Sequence, residues 1–230
     1  MPKHIGIVAC SAEGAALCYR TICGEAAKVM GEHAHPEITM HSYPLARYME
    51  FIRRGDWHQV AELILWSARK LAQASADFLV CPDNTIHQAF ELVIERSPLP
   101  WLHIAHPVAK AAAERGFQRL GLMGTRYLME GPVYPEALKP YGISTRLPPA
   151  ADREKIDAII FDELVAGVFS EDSRLYFNEV MARLKDVGCE AVILGCTELP
   201  LIVRSDDAPL PTLDSTRLLA RAALRRALDS

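Results

Sequence analysis

Residues 76–85 read ADFLVCPDNT, and residues 189–198 read CEAVILGCTE. Each is an apolar run of the length of one buried strand, released into a cluster of small polar residues. Aligned, Asp83 stands opposite Cys196, 113 positions away. A second echo lies further out on each side: HIGIVACSAEG (residues 4–14) matches RLGLMGTRYLMEG (residues 119–131), setting Gly6 against Gly121, 115 positions apart. Two independent echoes that agree within two residues point to an internal duplication, two similar halves each with a loop after its first strand and another after a later strand.

Outward from these stretches, short β-rich runs alternate with helical patterns. Strands are expected at His4–Cys10, Glu37–His41, Asp77–Cys81, Trp101–Ile104, Arg119–Met123, Ser144–Leu147, Ala191–Leu194 and Pro211–Leu213. Helical spacing fills 14–31, 57–75, 84–95, 107–115, 132–139, 152–166, 172–187 and 214–229. This alternation predicts an α/β fold, with parallel sheets flanked by helices. Ligands of such sheets bind outside the carboxyl ends of the strands. Two halves facing one another would therefore bring four loops around one cleft: Cys10–Gly14, Asp83–Thr85, Gly124–Arg126 and Cys196–Glu198.

Composition narrows the function. The chain has 230 residues, half of them hydrophobic, and a formal net charge of −4. With no basic face, nucleic acid is not an expected partner. No apolar run approaches the roughly 18 residues of a membrane span, and the start MPKHIGIVAC lacks the pattern of a signal peptide. A soluble, cytoplasmic protein is expected. The six cysteines, Cys10, Cys18, Cys23, Cys81, Cys189 and Cys196, are too scattered for a disulfide scaffold and lack the spacing of a zinc ribbon, so no metal is expected.

Asp83 and Cys196 on opposite sides of a bound molecule would be two proton-transfer groups facing one tetrahedral carbon. Such a pair can take a proton from one face and return one to the other, as a racemase without a cofactor must. Loop N–H groups at helix starts and the hydroxyls of Thr85, Thr125 and Thr197 can stabilise the developing negative charge while holding a carboxylate. A thiol suits the task, because its pKa of about 8.5 falls at helix N-termini.

These residues carry a resemblance. The chain resembles the aspartate/glutamate racemase family, the pyridoxal-phosphate-independent amino-acid racemases, over nearly its whole length: PDNTIH (82–87), GTRYLMEGPVY (124–134), IIFDELVAG (159–167), VILGCTELPLI (192–202) and PTLDSTRLLARAAL (211–224). The resemblance implies two pseudo-symmetric Rossmann-like domains with the active site in the cleft between them. The first would comprise 1–98 plus 212–230, the C-terminal helix returning to it, and the second 99–211. It implies a homodimer acting without cofactors on a small amino-acid or dicarboxylate substrate, with two cysteines as bases. The second of these maps onto Cys196. Carboxylate-binding positions map onto Asn84, Thr85, Thr125 and Thr197, and more loosely onto Ser11.

The first cysteine is replaced by Asp83. Cys81, two residues earlier, is expected on the strand and is not its substitute. Reference pKa values put an aspartate about 4.6 units below a cysteine, roughly 6 kcal/mol of proton affinity, whereas burial beside substrate carboxylates raises a carboxyl by up to about 3–5 units. Asp83 thus reads as a protonated partner acid, as a group that binds a substrate ammonium and repels acidic side chains, or as a plain cap of the following helix. The missing cysteine keeps two other functions open: a one-thiol lyase resembling arylmalonate decarboxylase, and a non-catalytic binder of small carboxylates. Glu198 is read first as a helix-start residue and second as a neighbour tuning Cys196. His87 is read as orienting a loop, and Arg53 and Arg54 as a solvated helix end.

Overall fold

The computed structural model describes residues 1–229. The chain forms two compact units, one built from Met1–Ile104 with the residues from Thr216 onward, the other from Ala105–Ser215. In the first unit the order is β1 (Ile5–Ala9), α1 (Ala12–Met30), β2 (Ile38–Ser42), α2 (Leu45–Ile52), α3 (Trp57–Gln73), β3 (Phe78–Val80), a 3-10 turn at Thr85–Ala89, α4 (Phe90–Ile94) and β4 (Trp101–Leu102). The second unit runs α5 (Ala105–Glu114), β5 (Arg119–Met123), α6 (Arg126–Met129), α7 (Val133–Leu138), β6 (Ser144–Arg146), α8 (Ala150–Asp162), α9 (Glu171–Asp186), β7 (Ala191–Leu194), α10 (Leu199–Ile202) and β8 (Thr212–Asp214). Helix α11 (Ser215–Leu228) then brings the chain back to the first unit.

Each unit holds a four-stranded parallel sheet, ordered β2-β1-β3-β4 in the first and β6-β5-β7-β8 in the second. The inner strands β1, β3 and β7 are buried along their whole length, as strands covered by helices on both faces must be, while edge strands β2 and β6 carry polar residues and are partly exposed. The duplication is written into the register. Gly6 pairs with Leu79 and Gly121 with Val192, so the two offsets read from the sequence recur as equivalent pairings. Asp83 and Cys196 each follow four residues after those equivalent partners.

The first core gathers Ile5, Ile7, Phe78 and Val80 from the sheet with Cys18 and Ile22 of α1 and Leu219, Ala220, Ala223 and Ala227 of α11. Helix α3 buries Val60, Ala61, Ile64, Leu65, Ala68 and Leu71, the three-and-four spacing of an amphipathic helix. Side-chain caps open several helices: Ser11 for α1, Asp56 for α3, Thr125 for α6 and Ser170 for α9.

The unit boundaries differ from those expected at 98/99 and 211/212. Strand β4 pairs with β3 and so belongs to the first sheet, and β8 pairs with β7 and so belongs to the second. The divisions therefore fall at Ile104/Ala105 and Ser215/Thr216. All eight strands are present, trimmed or shifted by a residue or two except for Arg119–Met123 and Ala191–Leu194, whose bounds match. Helices α2, α6 and α10, of eight, four and four residues, were not among the expected ones.

The paired glycines are the tight points. A Cβ at Gly6 would meet Leu79 Cδ2 at 2.5 Å and Ala76 Cβ at 3.1 Å, and one at Gly121 would meet Leu184 Cδ1 at 2.8 Å. Overpacking of this kind costs about 1–3 kcal/mol. Gly24, exposed within α1, has nothing within 4 Å of that position. Urea unfolding should show Gly6→Ala and Gly121→Ala destabilised by that amount and Gly24→Ala stabilised by about 0.5–1 kcal/mol; a neutral Gly6→Ala would refute the close-packing account.

Candidate functional site

Parallel strands deliver their following loops to the same edge of a sheet, so neighbouring strands present neighbouring loops. In the first unit β1 leads to Ser11 and β3 to Asp83, Asn84 and Thr85. In the second β5 leads to Thr125 and β7 to Cys196 and Thr197. The expected site residues are thus gathered as one loop pair per unit, at the carboxyl edge where α/β sheets bind ligands.

In the first pair, Ser11 Oγ accepts from Gly14 N–H at 3.2 Å at the start of the nineteen-residue α1. Asp83 Oδ1 accepts from Ile86 N–H at 3.2 Å, capping the 3-10 turn. The capping reading of Asp83 therefore holds for one of its two oxygens. Asn84 and Thr85 are buried.

His87 fixes this loop from below. Its Nε2 accepts from Ile104 N–H at 3.3 Å, which assigns the remaining ring proton to Nδ1 and directs it to the Asp83 carbonyl at 2.6 Å. The imidazole thereby ties the Asp83 backbone to the end of β4, the loop-orienting role expected of it. Cys81 is buried, and burial, followed by the charge of Asp83, pushes its thiol well above the ordinary range.

Tyr48 of α2 adds a group that the sequence did not single out. Its side chain is wholly buried, and burial, then the charges of Cys10 and Cys81 and, more weakly, of Asp83, push its ionisation far up. The hydroxyl lies beside Ser67 but makes no well-formed hydrogen bond, since Ser67 Oγ already donates to the Leu63 carbonyl and pairs with His41 Nδ1 at 3.0 Å. Nothing in the pattern LARYMEFI separates Tyr48 from a plain core residue. Arg53 ends α2 and Arg54 pairs with Glu50 in solvent, as expected of a helix end.

The second pair is drawn tightly together. Gly195 N–H donates to the Met123 carbonyl at 2.7 Å, and a Cβ at Gly124 would stand 3.1 Å from the Gly195 oxygen. Only glycines allow the two loops to approach so closely. Thr125 Oγ1 caps α6 by accepting from Leu128 N–H at 3.2 Å, and Arg126 N–H is held at 2.7 Å by Asp157 Oδ1 of α8.

Cys196 is buried at 8% exposure, and its Sγ donates to Glu198 Oε2 at 2.9 Å. Thr197 Oγ1 donates to the same oxygen at 2.8 Å. Glu198 is 3% exposed and makes no side-chain capping bond to α10. The helix-start reading of Glu198 gives way to the other one: its carboxylate is turned onto the thiol, placed to receive the Cys196 proton. The signal was its spacing in Gly-Cys-Thr-Glu, but only coordinates show where the side chain points. The Thr197 hydroxyl hydrogen is thus directed to Glu198.

The duplicated parallel α/β fold is shared with known proteins. The family model for Asp/Glu/hydantoin racemases matches residues 6–223. The chain belongs to that family. A candidate Asp/Glu racemase from Yersinia pestis is 33% identical and superposes with a TM-score of 0.89 over 99% of this chain and all of that one. An aspartate racemase homologue from Pyrococcus horikoshii OT3 is 26% identical, with a TM-score of 0.84 over the full length of both chains. The broad specificity amino-acid racemase RacX of Bacillus subtilis (strain 168) is 21% identical over 193 residues, 83% of this chain and 81% of that one. Among the described residues no helix is long and apolar enough to cross a membrane.

The contact between Cys196 and Glu198 has a direct consequence. A carboxylate that accepts the S–H hydrogen is the adjacent base through which the thiolate can form. Glu198→Gln should lower the rate of iodoacetamide alkylation of Cys196 near pH 7, read by peptide mass spectrometry, about tenfold. An unchanged rate would show that the carboxylate does not govern the thiol.

Proposed function

We propose that this protein is a cofactor-independent amino-acid racemase in which Cys196 and Asp83 form the acid/base pair. The observation that carries the reading is their equivalence. Both stand four residues beyond matching strand partners, each beside loop N–H groups and a hydroxyl. In the proposed reaction Glu198 accepts the Cys196 proton, and the thiolate takes the substrate Cα proton. The C–H electron pair moves into the adjacent carboxylate, whose developing charge is met by N–H groups at Asn84, Thr85, Thr125 and Thr197 and by the Ser11 and Thr125 hydroxyls. Protonated Asp83 then gives its proton to the opposite face of the carbon. The product is the enantiomer, the sulfur is again a thiol, and the enzyme has gained one proton at Glu198 and lost one at Asp83. Reversing the two roles converts the other enantiomer.

Family membership and the names of the relatives support a free amino acid as substrate. The two sides are chemically unequal, because Asp83 replaces a thiol with a stronger acid that also serves as a cap. The capping bond from Ile86 N–H favours a second reading, in which Asp83 is structural and Cys196 alone protonates a carbanion after loss of a carboxyl group.

Deuterium oxide separates the readings. Single enantiomers of a panel of amino acids, followed by proton NMR and chiral chromatography, should show α-deuteration accompanied by inversion. Asp83→Asn should lower inversion by about 10²–10⁴-fold, the usual worth of a positioned acid, while substrate still binds. Cys196→Ser should lose exchange and inversion alike. Exchange with retention, or turnover of phenylmalonate in place of amino acids, would transfer the assignment to the one-thiol lyase. An undiminished rate in Asp83→Asn would reject the pair.

A further inference from the structure

The second unit carries a cavity of about 760 Å³ lined by none of the candidate site residues, within the range of small-molecule pockets. Its walls come from the carboxyl end of β6 and the segment leading into α8, from Arg153 in the first turn of α8, and from the last turns of α9. Leu147, Leu184 and Val187 supply apolar surface, and Leu147 and Val187 are 37% and 58% exposed. Against them stand three guanidinium groups, Arg146, Arg153 and Arg183, and a single lining carboxylate, Asp186.

Two of the arginines are already held in place. Arg153 donates from Nε to Glu130 at 3.2 Å and from Nη1 to the Pro148 carbonyl at 3.0 Å. Arg183 grips Asp152 with two bonds of 3.0 and 2.9 Å, and Asp152 is braced further by Tyr176 at 2.7 Å. These bonds make part of the wall rigid before any ligand arrives. Arg146 differs. It ends an edge strand, is exposed, and its guanidinium has no ion pair or hydrogen bond among the described residues. An uncommitted guanidinium above an apolar wall, beside two arginines already neutralised by Glu130 and Asp152, matches a ligand with a carboxylate at one end and a hydrophobic body at the other.

The geometry points to a second ligand site in this cavity, taking an arylalkanoate whose carboxylate pairs with Arg146 and whose ring lies on Leu147, Leu184 and Val187. The site is separate from the loops at Thr125 and Cys196 but is wired to one of them. Helix α8, which forms its wall through Arg153, is also the helix whose Asp157 holds Arg126 next to Thr125. An occupant leaning on α8 therefore touches the element that positions the Thr125 loop.

The probe is 4-phenylbutyrate, titrated into the full chain by calorimetry and by saturation-transfer NMR at millimolar concentration. Saturable binding is expected, with transfer to the phenyl protons, and none for 4-phenylbutylamine. Arg146→Ala should weaken binding about 10- to 100-fold, the loss of one charge-assisted pair. Leu147→Asp should abolish transfer to the ring, and Asp186→Asn should tighten binding. Arg146 and Leu147 lie at the surface, and unchanged thermal unfolding will confirm that these variants fold. Cys196→Ser should leave affinity unchanged, which separates this site from the one proposed for the racemase reaction. Absence of saturable binding by the wild-type chain, equal affinity in Arg146→Ala, or loss of binding in Cys196→Ser would each overturn the assignment.

Discussion

The parallel pairing of an inner strand with its neighbour, made once in each unit and in equivalent register, is the constraint from which the chemistry follows. Gly6 stands opposite Leu79 and Gly121 opposite Val192, and a side chain would crowd Leu79 of the neighbouring strand at the first and Leu184 of α9 at the second. Because side chains alternate along a strand and β1, β3 and β7 are buried on both faces, a slip of one residue would exchange the two packed faces and disrupt every core contact. With the register pinned, the strand ends are pinned, and with them the loops that start at Ser11, Asp83, Thr125 and Cys196.

Symmetry of position does not extend to symmetry of charge. Asp83 receives a backbone N–H and sits on a loop braced by His87. Cys196 instead gives its hydrogen to a buried glutamate that also holds Thr197. The duplication has kept the scaffold while the two ends of the proposed proton path have moved apart in chemistry. One end now has an internal proton acceptor, Glu198, where the other has a cap.

How much of this was legible depends on the range of the physics involved. The strands could be read because burial on both faces leaves an unbroken apolar run, and the duplication because two such runs repeated with their polar exits. Helices α6 and α10, at four residues each, are too short for periodicity to show, and α2 fills only two turns after Pro44. The boundaries at Ile104 and Ser215 were missed because the two-residue β4 and three-residue β8 take their membership from pairing partners distant in sequence. At the site, residue types and spacing singled out Cys196, Asp83 and the small polar residues around them. The direction of the Glu198 side chain and the burial of Tyr48 are tertiary facts, carried by no local pattern.

The first unit is completed by the last helix. Leu219, Ala220, Ala223 and Ala227 of α11 share its core with Ile5 and Phe78, and Lys3 N–H is bonded to the Ala227 carbonyl at 2.8 Å. The second unit is thus inserted between two pieces of the first. On the ribosome, the amino-terminal sheet must wait with part of its apolar face uncovered while some 110 further residues are made and fold. The order of synthesis is then the reverse of the order of completion: the unit begun second finishes first, and the carrier of Asp83 is sealed only once α11 has been made.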